Sequence, residues 1–200
     1  MLFGFIGTQL YAQISFQKTY GGSGTERGHS IQHTSDGGYI IAGSTSSFGA
    51  GQDDVYLLKI DVNGNALWSK SFGGTGNDRG NSVKQTQNGG FIIAGFTTNF
   101  GAGLSDVFLI RTTNIGDTVW TRTYGGTNLD HGNDVQETSD GGFIIIGYTF
   151  SFGTGGDTYM IKTNSNGDTL WTKTYGGVGY DVGESIIAEA GSLMMMDAEI

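Results

Sequence analysis

The sequence predicts an all-β fold made of one four-stranded unit that repeats about every 52 residues. The clearest sign is the spacing of Trp68, Trp120 and Trp171, which lie 52 and 51 residues apart. A Gly-Gly pair follows each Trp at a constant distance. The composition agrees, because 37 Gly and no Pro in 200 residues is typical of many short strands joined by tight turns.

The first half of each unit predicts a hairpin. A short first strand, such as residues 30–34, leads into an Asp-Gly-Gly or Asn-Gly-Gly turn, which supplies the positive φ angles of a tight hairpin. The second strand is nearly all apolar, as in the Tyr-Ile-Ile-Ala-Gly of residues 39–43. A continuous apolar run of this length indicates a strand buried on both faces.

The second half of each unit predicts two more strands. The third opens with an acid, at Asp54, Asp106 and Asp157, and a second glycine-containing turn follows it. The fourth carries the Trp and runs to the Gly-Gly pair. No segment keeps a helical period for ten residues, since glycine interrupts every candidate. Repeated four-stranded units of this kind are typical of β-propeller blades.

Residues 13–200 are predicted to consist of these repeats. Full units are expected at about 29–74, 81–126 and 133–177, with a partial unit at 184–200 and a single fourth-type strand at 13–20. That makes fifteen strands, one short of four blades. The chain is then either an incomplete four-blade ring or part of a larger six- to eight-blade propeller. Exposed apolar blade faces disfavour an open arc, so we expect further blades or domains in a longer parent chain.

Residues 1–12 are apolar and lack the repeat pattern. They are interpreted as a partial signal peptide whose cleavage site follows Ala12. An ordinary apolar first strand is the alternative. The interpretation predicts a secreted or cell-surface protein. No other segment has the ~20 apolar residues that a membrane span needs.

Composition excludes several functions. The net charge is −9, and the 10 Lys and Arg form no basic run, so nucleic-acid binding is not expected. The absence of Cys excludes disulfides and thiolate metal sites. No metal and no cofactor is expected.

The repeats resemble those of bacterial secreted β-propeller proteins, of the type common in Bacteroidetes. The motifs that carry the resemblance are Asp-Gly-Gly-Tyr-Ile-Ile-Ala-Gly, Asp-Val-Tyr-Leu-Leu-Lys-Ile-Asp-Val-Asn-Gly-Asn-Ala-Leu-Trp, and the Tyr/Phe-Gly-Gly that follows. They cover residues 13 to about 187. The resemblance implies a fold and an exported location, and no single activity.

A weaker resemblance is to the tryptophan-docking turns of quinoprotein-like propellers. It rests on a glycine four residues before Trp68, Trp120 and Trp171. It implies a structural role for these rings between neighbouring blades.

Candidate binding residues lie in the predicted loop before each first strand. This loop repeats an acid, namely Glu26, Asp78, Asp130 and Asp181. Four acids could form a cation-binding ring at one mouth of a propeller. Repetition in every unit favours a structural role instead, in which each carboxylate accepts backbone N–H bonds of its own turn. The next residue varies between units, as Arg27, Arg79, His131 and Val182, and variation on a fixed frame is typical of binding positions.

The remaining polar residues favour structural roles. Asp54, Asp106 and Asp157 could contribute to a metal site, but tying down the glycine-rich loop before them explains them better. The turns at 61–65 and 164–168 resemble calcium loops only faintly, because the distant bidentate Glu is absent. No Ser-His-Asp or paired-carboxylate arrangement stands out.

The sequence therefore predicts a non-enzymatic, exported binding or scaffolding module for a carbohydrate or protein partner. The alternative is the propeller domain of a secreted hydrolase or oxidoreductase whose catalytic part lies outside this chain.

Overall fold

The structure, a computed structural model, describes residues 16–189 and 192–198. These residues form fourteen strands. None of them forms a helix that could cross a membrane. The strands are β1 (Glu26–His33), β2 (Tyr39–Thr45), β3 (Asp54–Ile60), β4 (Ala66–Phe72), β5 (Asp78–Gln85), β6 (Phe91–Thr97), β7 (Asp106–Thr112), β8 (Thr118–Tyr124), β9 (Asp130–Glu137), β10 (Phe143–Thr149), β11 (Asp157–Thr163), β12 (Thr169–Tyr175), β13 (Val182–Glu189) and β14 (Ser192–Ala198).

The strands pair in the order of the chain. β1–β4, β5–β8 and β9–β12 each form an antiparallel four-stranded sheet, here called sheets 1, 2 and 3, and β13 pairs with β14. The all-β class and the four-stranded repeat are confirmed. The predicted hairpin turns carry glycines with positive φ at Gly37, Gly89 and Gly141.

Consecutive sheets pack face to face through their second and third strands. In β6, Ile93 packs in the core between sheets 1 and 2, whereas Ile92 and Ala94 pack in the core between sheets 2 and 3. Adjacent residues of one strand therefore face two different cores, because side chains alternate across a sheet. This explains why the second strands are apolar at successive positions and confirms their burial on both faces.

The first strands of successive sheets stand side by side and run parallel. The Val83 amide donates to Ser30 Oγ at 3.2 Å, and further along both strands the Gln85 amide donates to the Gln32 side chain. β5, β9 and β13 continue this order. As a result, the starts of all the first strands gather at one end of the structure.

The segment predicted as a fourth-type strand at 13–20 is not a strand over residues 16–20. No third strand lies beside it in the described part of the chain to pair with its backbone. Its side chains nevertheless act as those of a fourth strand: the Tyr20 hydroxyl donates to the Gly64 carbonyl at 2.6 Å, as that of Tyr124 does to Gly167. Residues 13–15 and the predicted signal peptide at 1–12 lie outside the described residues.

Candidate functional site

Three of the four predicted acids are the first residues of strands, whereas Asp181 lies in the loop where it was predicted. β1, β5 and β9 begin at Glu26, Asp78 and Asp130, and Asp181 directly precedes β13. The first strands begin earlier than predicted because each second strand extends beyond its apolar run to a Thr. The acid at the start of the first strand pairs with this Thr. Thr97, for example, pairs with Asp78.

Each of these acids holds the turn that precedes it. The carboxylate accepts the backbone N–H of the glycine four residues earlier. The distances are 3.2 Å from Gly22 to Glu26, 2.9 Å from Gly74 to Asp78, 2.7 Å from Gly126 to Asp130 and 3.0 Å from Gly177 to Asp181. Asp78 and Asp130 are completely buried. These contacts are the ones expected if each acid has a structural role and holds its own turn in place.

The third-strand acids Asp54, Asp106 and Asp157 are also buried and bind the glycine-rich loops before them. Asp106 accepts the amides of Ala102 at 3.0 Å and Gly103 at 3.2 Å. Burial raises the pKa of Asp106, and the charge of Asp130 adds to this effect. Over the described residues, no three His, Cys, Asp or Glu side chains gather in a way that could hold a metal ion.

The variable position next to the acids pairs with a second variable position on the neighbouring strand. Arg27 pairs with Ser44, Arg79 with Phe96, and His131 with Tyr148. In sheet 1, Arg27 is exposed and lies 3.9 Å from Asp53. Val182, the last member of the series, is buried.

The pairs of sheets 2 and 3 form one cluster. The rings of Phe96 and His131 stack with centroids 3.9 Å apart, and the Arg79 guanidinium lies 5.6 Å from the Phe96 centroid. The two His131 ring nitrogens lie 2.7 Å from the hydroxyls of Ser105 and Tyr148. Burial lowers the pKa of His131 to about 4. The imidazole is therefore neutral at pH 7 and serves as a fixed wall of the site.

Acidification from pH 6.5 to 4 is expected to destabilise the fold through His131. The unfolded chain binds a proton at this imidazole in that window and the folded chain excludes it, so the contribution is complete above pH 6.5 and disappears as the pH approaches 4. Because solvent screens the charge of the imidazole in part, we expect the free energy of unfolding to fall by ~2 kcal/mol. Urea denaturation at pH 7, 5 and 4 should show a smaller loss for His131→Gln than for the wild type.

The exposed His33 provides the control for this measurement. His33→Gln should keep the pH profile of the wild type. If His131→Gln lost as much stability between pH 7 and 4 as the wild type, the buried neutral imidazole would be contradicted.

Two openings flank the cluster and share Arg79, Phe96 and His131 as a wall. One is a cavity of about 320 Å³, here called the Phe96 cavity, and the other is a cleft of about 470 Å³. The Phe96 cavity is also lined by Asp53, Asn77, Asp78, Thr98, Ser105 and Leu129. The cleft is also lined by Asn81, Asn133, Tyr148 and Glu184.

β-Bulges place the polar residues of the cleft. The pairing register shifts at Asn81, Asn133 and Glu184, one residue after the glycine of each first strand. Bulges re-aim side chains. Asn81 donates to the Gly132 carbonyl at 2.9 Å, and Asn133 to that of Gly183 at 3.2 Å, so these amides connect neighbouring first strands.

Sequence reasoning found Arg79 and His131 but missed Phe96, Tyr148 and the bulge residues. The signal was present, because the position of Phe96 and Tyr148 is Ser44 in the first repeat, the one position of this strand that changes from polar to aromatic between repeats. The predicted structural residues Trp68, Trp120 and Trp171 lie on the outer strands β4, β8 and β12, away from this site.

The fold and the site together define a repeated all-β protein with a polar, aromatic-walled opening at one end. No model of a known protein family matches the chain. The chain is similar to the regulatory protein FlaEY of Caulobacter vibrioides, with 26% identity over 175 residues that cover 74% of this chain. The match spans 18% of the length of FlaEY.

Proposed function

We propose that this chain is a non-enzymatic, exported binding module whose sheets are blades of a β-propeller. The packing supports the propeller: successive four-stranded sheets stack face to face, and their first strands run parallel and adjacent. Blades of a propeller are arranged in this way around a central channel. The openings beside Arg79 and His131 then lie at one mouth of that channel.

The observation that carries the binding role is the contrast between fixed and varied residues at this end. Every repeat has a carboxylate at the same position, and this carboxylate accepts a hydrogen bond from its own turn. Their neighbours change from Arg27 to Arg79 to His131 and, in sheets 2 and 3, gather around open space. A constant frame that carries varied polar and aromatic side chains is the arrangement of binding surfaces on repeat scaffolds. A carbohydrate or a protein segment is the partner class that suits it.

The arrangement of the acids supports a non-enzymatic role. A general acid or base must reach a substrate with a free carboxyl oxygen. Asp78 and Asp130 are fully buried and accept hydrogen bonds from their own turns. Their engagement in the turns makes them frame residues.

Arrays of glycans and peptides probed with the purified chain test the binding role. Arg79→Ala should weaken binding at least tenfold on whichever probes the wild type recognises. Arg122→Ala is the matched control, because it removes the same charge from the outer strand β8, where Arg122 lies 3.8 Å from Asp168. Equal effects of the two substitutions, or no bound probe for the wild type, would contradict the proposal.

A further inference from the structure

We infer that the cavity between sheets 2 and 3, beside their hairpin turns, binds a free α-amino acid. This cavity, here called the hairpin-end cavity, measures about 430 Å³, which lies in the range of small-molecule sites. Residues of the turns line it, including Asn88, Gly141 and Asn166. The first strands start at the opposite end of the sheets, where Arg79 and His131 lie. The hairpin-end cavity is therefore a second site, and it goes beyond the proposed function.

The repeats differ in the charges that they place at this end of the sheets. In sheets 1 and 3, the Asp of the hairpin turn and a Lys of the third strand form an ion pair at 2.9 Å, namely Asp36–Lys59 and Asp140–Lys162. Sheet 2 has Asn88 and Arg111 at the same two positions. An amide does not neutralise a guanidinium, and Arg111 is only 6% exposed. Sheet 2 therefore buries a cation without a carboxylate in its own hairpin, which is costly unless another anion compensates.

The Arg111 guanidinium is held in place and keeps donors free. Nη1 donates to Thr86 Oγ1 at 2.6 Å, and Nη2 donates to Asn88 Oδ1 at 2.5 Å. The guanidinium carbon lies 5.8 Å from the centroid of the Phe143 ring. Nε has no hydrogen-bond partner in the described part of the chain and, unlike Nε of Arg79, it is not enclosed by protein. Nε and the remaining N–H of Nη2 are thus available to a carboxylate, which suits two guanidinium donors at once.

The opposite wall of the cavity supplies a negative charge, on Glu137 of β9. Glu137 stands where the preceding sheet has Gln85, and each side chain accepts a backbone N–H from the hairpin of the sheet before it, at 2.7 and 2.8 Å. This contact uses Oε2 of Glu137 and leaves Oε1 without a partner among the described residues. Burial lowers the pKa of Arg111, and the nearby charge of Glu137 partly opposes this effect.

Arg111 and Glu137 thus face one cavity with opposite charges, and within the described residues no ion pair joins them. A ligand whose carboxylate and ammonium lie close together complements both charges at once, because each group meets its opposite. An α-amino acid has this arrangement. Its carboxylate would bind Arg111, and its ammonium would bind Oε1 of Glu137.

The other charges near the cavity cancel in pairs. Asp140 is paired with Lys162, and Arg122, which lies 5.6 Å from the centroid of the Trp120 ring, faces Asp168 at 3.8 Å. The lining therefore has no net charge, which matches a zwitterion. Val119 and the partly buried Trp120 add an apolar patch to the otherwise polar lining. This patch favours an amino acid with an apolar side chain, such as leucine or phenylalanine.

The internal comparison of the repeats supplies the variants for a test. Asn88→Asp combined with Arg111→Lys rebuilds in sheet 2 the ion pair of sheets 1 and 3, and so removes the free donors without loss of the hairpin contact. Asp36→Asn combined with Lys59→Arg is the matched control, because it makes the reverse exchange in sheet 1, away from the cavity. Glu137→Gln restores the residue of the preceding sheet and keeps an acceptor for the hairpin N–H.

Isothermal titration calorimetry of the full chain at pH 7 would compare leucine and phenylalanine with N-acetylphenylalanine, which lacks the ammonium, and phenylalanine amide, which lacks the carboxylate. We expect one of the two amino acids to bind, and both blocked forms to bind at least tenfold more weakly than phenylalanine. The sheet 2 double variant should keep the thermal midpoint of the wild type and weaken binding at least tenfold, whereas the sheet 1 double variant should leave binding unchanged. Glu137→Gln should remove the preference for phenylalanine over its N-acetyl form.

Three results would overturn the inference: no binding of either amino acid, equal binding of a blocked form by the wild type, or unchanged affinity in a folded sheet 2 double variant. If that variant does not fold, Glu137→Gln decides, and a preference for the free amine that survives this substitution contradicts the site. Arg79→Ala should not affect amino-acid binding, so the failure of this site and the failure of the proposed function are separate results.

Discussion

Replacing Gly95 by Ala should destabilise the protein by ~4 kcal/mol or prevent it from folding. A Cβ on Gly95 would lie 1.7 Å from the Arg79 carbonyl oxygen and 3.0 Å from the Cα of Gly80. Both are backbone atoms of β5, which pairs with β6 at this point, so neither can move without breaking the ladder. The bulge at Asn81 follows this close approach directly.

Gly89→Ala is the control for this prediction. Gly89 lies in the hairpin between β5 and β6 with φ +84°, and a Cβ there would meet nothing within 4 Å. Gly89→Ala should lower the free energy of unfolding by about 1 kcal/mol, because Ala disfavours a positive φ. Urea denaturation followed by circular dichroism gives both free energies of unfolding. A smaller loss for Gly95→Ala than for Gly89→Ala would mean that the bulge is misplaced. Such an error would also displace Asn81 and the cleft that it lines.

The sequence was sufficient for features that depend on neighbouring residues. Asp-Gly-Gly and Asn-Gly-Gly predicted the turns, and the apolar run of residues 39–43 predicted a strand between two cores. These signals are local, because φ preference and side-chain alternation act within a few residues. The repeat spacing extended them to all three full units.

The site could not be predicted in this way, because it depends on pairing register. Spacing does not show that Arg79 lies opposite Phe96, or that a one-residue bulge turns Asn81 towards the cleft. A shift of one residue exchanges the two faces of a strand. The Phe96 cavity also depends on a small side chain, since Thr98 stands where the next repeat has Phe150. The strand expected at residues 13–20 is absent over residues 16–20 for a related reason: the sequence pattern is that of a fourth strand, but strand structure requires a neighbouring strand.

Trp120→Ala should cost ~3 kcal/mol, whereas Trp171→Ala should cost ~1 kcal/mol or less. The Trp120 ring lies 5.9 Å from that of Phe143 and faces Gly167, where an added Cβ would approach it to 3.0 Å. It therefore fills the space between sheet 2 and the turn of sheet 3. Trp171 holds the same position in sheet 3, but it is 37% exposed.

Denaturation of both variants at several protein concentrations completes this comparison. In dilute solution the two losses should differ by ~2 kcal/mol, because no turn covers Trp171 in the described part of the chain. An equal loss that grows with protein concentration would show that β12 is covered by another molecule, since a bound partner stabilises the folded state in proportion to its concentration. An equal loss at every concentration would contradict the packing of Trp120 itself, and with it the docking of each outer strand on the turn of the next sheet.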